Sequence, residues 1–179
     1  IVGAGTVGTA ATRIAVGMGA RVTVLDVNID ALSHLQDIFP DKIETVYSNP
    51  LNIESSVRDA DLVISTVLIP GRRAPQLIKE DMVKKMKEGS VIVDVAIDQG
   101  GSTDITKGHP TTHTDPTFVK HGVIHYAVAN IPGAVAKTST YALSNATTKY
   151  AKTLADLGVK KACEKTPELL SLIHISEPT

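Results

Sequence analysis

The chain has 179 residues, 42% of them hydrophobic and 21% charged, a balance that excludes disorder and suits one α/β domain with a real core. A formal net charge of −1 gives no electrostatic case for nucleic acid or an anionic membrane, and no apolar run approaches a membrane span. Cys163 is the single cysteine and has no partner for an internal disulfide, which fits a reducing, cytoplasmic setting. None of the six histidines, His34, His109, His113, His121, His125 and His174, sits in a zinc spacing, so no metal is expected.

In chain order, Ile1-Val2 runs straight into Gly3-Ala4-Gly5-Thr6-Val7-Gly8, a strand end followed by a G-x-G-x-x-G turn. Such a turn binds a dinucleotide pyrophosphate when a helix follows, because the glycines permit close approach and the helix N-terminus offers free N–H groups. Thr6 to Met18 reads as that helix, with Val7, Ala10, Ala11, Ile14 and Ala15 at helical spacing. Arg21 to Asp26 is a second strand ending in an acid where the adenosine ribose is expected. Asp26 is read as the cofactor selector, since its carboxylate accepts from ribose hydroxyls and repels a 2′-phosphate. No arginine follows at Val27 or Asn28, so NAD is preferred over NADP.

Asn28 caps a second helix carrying Ile29, Leu32, Leu35 and Ile38, which Pro40 stops. Ile43 to Tyr47 is a third strand, and Asn52 caps a short helix with Ile53 and Val57 four apart. Leu62 to Leu68 is nearly continuous in apolar and β-branched residues, as in a central parallel strand. Pro70-Gly71 turns the chain into a helix over Lys79 to Met86, and Ser90 to Ile97 is the fifth strand. Asp98 to about Phe118 is a polar loop too long to be a mere connection. Val123 to Val128 is the last strand, and Ser139 to Leu157 a final helix, capped by Thr138-Ser139-Thr140 and stopped by Gly158. Strands and helices alternate, so the expected fold is α/β: a doubly wound parallel sheet of the Rossmann type, strand order 3-2-1-4-5-6.

Ligands in such sheets lie beyond the carboxyl ends of the strands. Asp98 there reads equally as a half-buried carboxylate that handles a proton or orients a ligand, and as an Asx turn residue before Gly100. Asn130 is either an amide donor to the cofactor or a loop residue before Pro132, while Asp94, inside its strand, reads as structural. His109, His113 and the Arg72-Arg73 pair read as solvated surface groups.

The stretches GAGTVG, YSNP, TVLIPGRRAP, VDVAIDQGG, HPTTHTDPTF, VANIPGAVAKTSTYALSNAT and LGVKKACEK resemble the alanine dehydrogenase family and cover Ile1 to about Leu170. The resemblance implies reversible oxidative deamination of L-alanine to pyruvate and ammonium with NAD, in a hexamer. By it, Gly3, Gly5 and Gly8 match the pyrophosphate turn and Asp26 the ribose acid, with Thr6, Val7 and Val27 further cofactor-binding residues. Ser48 lies near the adenine, Val67 and Leu68 along the cofactor, Ile97 and Ile131 around the nicotinamide, and Asn130 at a ribose, while Asp98 matches the active-site aspartate and is a cofactor-binding residue as well. The alternative is the nucleotide-binding domain of a nicotinamide nucleotide transhydrogenase alpha subunit, whose corresponding turn lacks that acid. The expected organisation is one dinucleotide-binding domain, residues 1–170, truncated at its first strand, with the N-terminal substrate domain absent and 171–179 a non-native tail. Such a fragment is expected to bind NAD without turnover.

Overall fold

The computed structural model describes residues 1–69 and 72–169. The expected turn at Pro70-Gly71 and the tail at 171–179 lie outside the described residues. The chain divides into two compact units, Ile1–Asn130 and a second beginning at Ile131.

The first unit runs α1 (Thr6–Gly17), β1 (Val22–Asp26), α2 (Ile29–Ile38), β2 (Ile43–Tyr47), α3 (Pro50–Asp59), β3 (Leu62–Ser65), α4 (Glu80–Val83), β4 (Val91–Asp94), a 3-10 helix (Val95–Gln99), β5 (Thr117–Lys120) and β6 (Val123–Tyr126). β1 pairs with β2, and β3, β4 and β6 pair in that order, all parallel. Val2 closes the gap by bridging both Leu25 and Ser65. The parallel order is therefore the expected one, with the two-residue Ile1-Val2 strand at its centre. Alternation along β1 sends Val22 and Val24 to one face and Leu25 to the other. Val22 and Val24 join Leu32 and Leu35 of α2 and Ala15 and Val16 of α1, whereas Leu25 joins Ile53, Val57, Met82, Val83 and Ile92. Helices thus cover both faces.

Several elements depart from the pattern-based reading. β3 stops at Ser65 because its neighbour Val2 gives way to the Gly3 turn; Thr66 N–H still reaches Val2 O, and beyond it the chain has no strand to pair with. β4 stops at Asp94, whose carboxylate accepts from Ala96 N–H and turns the backbone into the 3-10 helix ended by Gly100 at φ 97°. Asn49, not Asn52, caps α3, with Pro50 in its first turn. α4 is only four residues, and i→i+3 turns carry the chain on to Met86.

In α1, Gly8 and Thr12 are buried while Val7 and Ile14 are exposed. The face is chosen by close backbone approach to Gly3 rather than by the largest side chains. The polar loop hides β5, an antiparallel edge strand paired with β6 through His121 and Gly122. Both turn residues have positive φ, 56° and 75°, as a two-residue hairpin turn requires. Val128 lies outside β6 but bridges Thr111.

The second unit holds a 3-10 turn (Ile131–Val135) and α5 (Ala136–Lys165), which breaks at Gly158 with φ 71° and ψ 164°. The helix begins earlier than Ser139 and Val135 precedes it without a side-chain cap; Ser139 Oγ instead donates to Pro132 O. Tyr150, Leu154 and Leu157 pack on Ala162, Cys163 and Leu169. Among the described residues no helix is long and apolar enough to cross a membrane.

His125 of β6 is fully buried and stacks on Phe118, ring centroids 5.1 Å apart. Burial pushes its pKa below the ordinary 6.5, partly offset by the Lys120 backbone. The unfolded chain therefore takes up this proton at a higher pH than the folded one. The contribution to stability is full above 6.5 and is lost as pH falls through 6.5 toward the lower folded value. Urea midpoints measured from about pH 7.5 to about pH 5 are expected to fall less steeply in His125→Phe than in the wild type; parallel slopes would remove His125 as a source.

Candidate functional site

The glycine turn is built from contacts as much as from backbone freedom. Gly3 has φ 109°, and a Cβ there would lie 2.6 Å from Thr66 Oγ1; a Cβ at Gly8 would lie 1.8 Å from Gly3 O. At Gly5 nothing stands within 4 Å of where a Cβ would be. Two glycines thus let the protein close on itself, and the third leaves space open. Gly5 is the N-cap of α1, and no side chain caps that end, leaving the first-turn N–H groups without an intrahelical acceptor.

Asp26 closes the turn from β1. Its Oδ2 accepts from Ala4 N–H at 2.6 Å and its Oδ1 from Asn28 N–H at 2.8 Å. The carboxylate therefore braces the glycine turn and keeps a further lone pair on each oxygen for another donor.

Gly3, Gly5, Thr6 and Val7 share one cleft with Asp26, Val27, Ser48, Val67 and Leu68. It has a volume of about 730 Å³, within the range of small-molecule sites. It lies beyond the carboxyl ends of β1, β2 and β3, where a parallel sheet presents its ligands. Gly8 is behind the turn, in packing. A second cavity of about 680 Å³ flanks Ile1 and Val2 at the amino ends of β1 and β3, the end at which such sheets do not bind.

Asp98 and Asn130 stand apart from that cleft but together: Asn130 N–H donates to Asp98 Oδ2 at 3.2 Å. Asp98 is exposed rather than half-buried, because it sits on the 3-10 helix instead of a strand end. Ile97, beside it, is buried. Ile131 opens the second unit, in its 3-10 turn. Asp94 is structural, as expected: fully buried, it accepts from Ala96 N–H, Ser102 N–H, Ser102 Oγ and Thr106 Oγ1. It folds the segment after Asp98 back on β4.

Sequence reasoning missed Thr66, Gln76 and Lys79, which also line the cleft. Thr66 Oγ1 lies 3.1 Å from both Val2 O and Gly3 O. Gln76 Nε2 donates to Ala74 O and Gly101 O, tying the cleft wall to the Gly100-Gly101 turn. No local pattern marks either residue; Thr66 meets Val2 and Gly3 across more than 60 residues, and Gln76 meets Gly101 across 25. Among the described residues no cluster of three or more His, Cys, Asp or Glu could hold a metal ion.

A glycine turn at an uncapped helix N-terminus, facing an acid at the end of the neighbouring parallel strand, defines a dinucleotide-binding domain. The open space at Gly5 and the remaining acceptor capacity of Asp26 fit a pyrophosphate and a ribose.

The chain belongs to the family described as "Alanine dehydrogenase/PNT, C-terminal domain", whose profile matches residues 1–178. It is 60% identical over 170 residues to an alanine dehydrogenase of Methanococcus maripaludis, covering 95% of this chain and 45% of that protein. A solved L-alanine dehydrogenase superposes with TM-score 0.83 at 49% identity, over 95% of this chain and 46% of that one. A transhydrogenase from Sinorhizobium meliloti superposes with TM-score 0.73 at 27% identity, over 87% and 44%. The chain spans less than half the length of the curated relatives it matches.

Proposed function

We propose that this chain is the NAD-binding part of an alanine dehydrogenase, and that the whole protein carries out the reversible oxidative deamination of L-alanine to pyruvate and ammonium. The observation that carries the reading is the single cleft in which the glycine turn, Asp26 and the segment after β3 meet. Its relatives, named alanine dehydrogenases at about 60% identity, support the substrate. NAD bound there supplies the acceptor for the hydride leaving the alanine α-carbon.

The chain's own residues hold and orient. The first-turn N–H groups over Gly5, Thr6 and Val7 meet the pyrophosphate, while Gly3 and Gly8 let that turn sit close to the sheet. Asp26 takes the ribose hydroxyls and, as a fixed negative charge, disfavours a 2′-phosphate. Val27 and Ser48 flank the adenosine end; Val67 and Leu68 wall the middle. Asp98 is the carboxylate that handles a proton or positions an amine, with Asn130 and Ile97 beside it. The substrate carboxylate is bound by residues outside this chain. By the same family likeness, the whole protein acts in the cytoplasm as a hexamer.

Calorimetric titration of the 179-residue chain tests the binding half. NAD is expected to bind, and NADP at least about tenfold more weakly, a difference of about 1.4 kcal/mol. Gly5→Ala is expected to weaken NAD by about tenfold or more with an unchanged urea midpoint, since its Cβ meets only the space the ligand needs. Equal affinities for both nucleotides, or an unaffected Gly5→Ala, would overturn the assigned cleft. In the full-length protein, alanine-dependent NADH formation is expected. Hydride exchange between nicotinamides without alanine turnover would point instead to the transhydrogenase reading.

A further inference from the structure

We propose that His113 is a positioning residue, whose ring holds the backbone at Asn130 so that the Asn130 amide stays aimed at Asp98. This rests on the reading of Asp98 as an active-site group; the structural part does not.

Three observations converge on Asn130. Its N–H donates to Asp98 Oδ2 at 3.2 Å. Its carbonyl lies 3.1 Å from His113 Nε2, so the ring donates there when Nε2 carries its proton. Between those two groups the backbone stands at φ 55°, a left-handed conformation that non-glycine residues adopt at a cost, asparagine among the least reluctant. That cost is comparable to what one net hydrogen bond returns. One bond on each side of the Cα is therefore enough to decide whether the residue stays left-handed. Removing the carbonyl partner releases the peptide on one side, and the amide on the other side no longer has a fixed direction.

The histidine is itself held in place. Thr111 bridges Val128, accepts from Ala127 N–H through its hydroxyl, and donates to Pro116 O. Thr112 Oγ1 accepts from Asp115 N–H. The short turn carrying His113 is thus fastened to the same strand exit that delivers Asn130. Among the described residues Asp98 Oδ1 makes no hydrogen bond, so the Asn130 amide is the protein's hold on that carboxylate. Among the described residues His113 makes no hydrogen bond to the carboxylate and does not line the cleft; it acts through a peptide.

The test has two arms. In the 179-residue chain, amide hydrogen exchange at Asn130 is expected to speed up by about tenfold in His113→Ala and to be restored in His113→Gln, where the amide nitrogen stands as far from Cβ as Nε2 does. In the full-length protein, His113→Ala is expected to lower kcat by about tenfold, equivalent to about 1.4 kcal/mol, leaving KM for NAD unchanged, and His113→Gln to recover it. A merely structural role would lower the urea midpoint without that split or that rescue. Unchanged exchange at Asn130 in His113→Ala would overturn the proposal outright. Faster exchange with unchanged kcat, in an enzyme that does oxidise alanine, would instead remove Asp98 from the active centre; a wild type that does not oxidise alanine would remove the functional reading alone.

Discussion

Gly8→Ala is expected to destabilise the first unit by about 3 kcal/mol, an overpacking penalty at the upper end of the usual range. The added Cβ would sit 1.8 Å from Gly3 O and 2.9 Å from Gly3 C, both backbone atoms, so no side-chain rotation relieves the contact. Gly3 is not free to retreat. Its N–H is bonded to Leu25 O, and the adjoining Val2 donates to Ile64 O and accepts from Thr66 N–H. Moving the turn breaks the bridges by which Val2 joins β1 to β3. A loss of that size is a large fraction of a total stability of about 5–15 kcal/mol. Urea unfolding of the wild type, Gly5→Ala and Gly8→Ala side by side checks it, and a Gly8→Ala midpoint equal to wild type would refute the packing account. The two alanines separate two positions of one motif: a Cβ at Gly8 meets backbone, whereas one at Gly5 meets nothing within 4 Å.

Asp98→Asn in the full-length protein is expected to lower kcat by about 10²–10⁴, the usual range for loss of a positioned acid or base. Asparagine keeps an oxygen to accept the Asn130 amide, so the 3.2 Å contact and the urea midpoint should survive. NAD affinity should also survive, because Asp98 is not among the residues lining the cleft of Asp26. Initial rates with alanine, together with an NAD titration, check both halves. A kcat close to wild type would return Asp98 to its other reading, a turn residue ahead of Gly100 at φ 97°.

Two of the departures from the sequence reading share a cause. β3 and β4 end earlier than their β-branched runs because a strand needs a neighbour. Val2 supplies one only as far as Thr66, and Asp94 diverts β4 into a 3-10 helix by capping it. The antiparallel β5 escaped notice because its turn is His121-Gly122 rather than the Asn-Gly or Asp-Gly pair that signals a hairpin.

By itself, the sequence determined the glycine turn, the acid ending β1, the Asn28 cap and the exact span of β2. Each depends on residues a few positions apart, where backbone sterics and hydrophobic period decide the outcome; the order of the parallel strands followed instead from the alternation of strands and helices along the whole chain. Only the tertiary structure decided that Gly8 and Thr12 rather than Val7 and Ile14 face the sheet, that Thr66 braces Gly3 from 63 residues away, and that Asp98 meets Asn130 across 32. These depend on where the sheet carries distant segments, and on hydrogen bonds that leave no periodic trace along the chain.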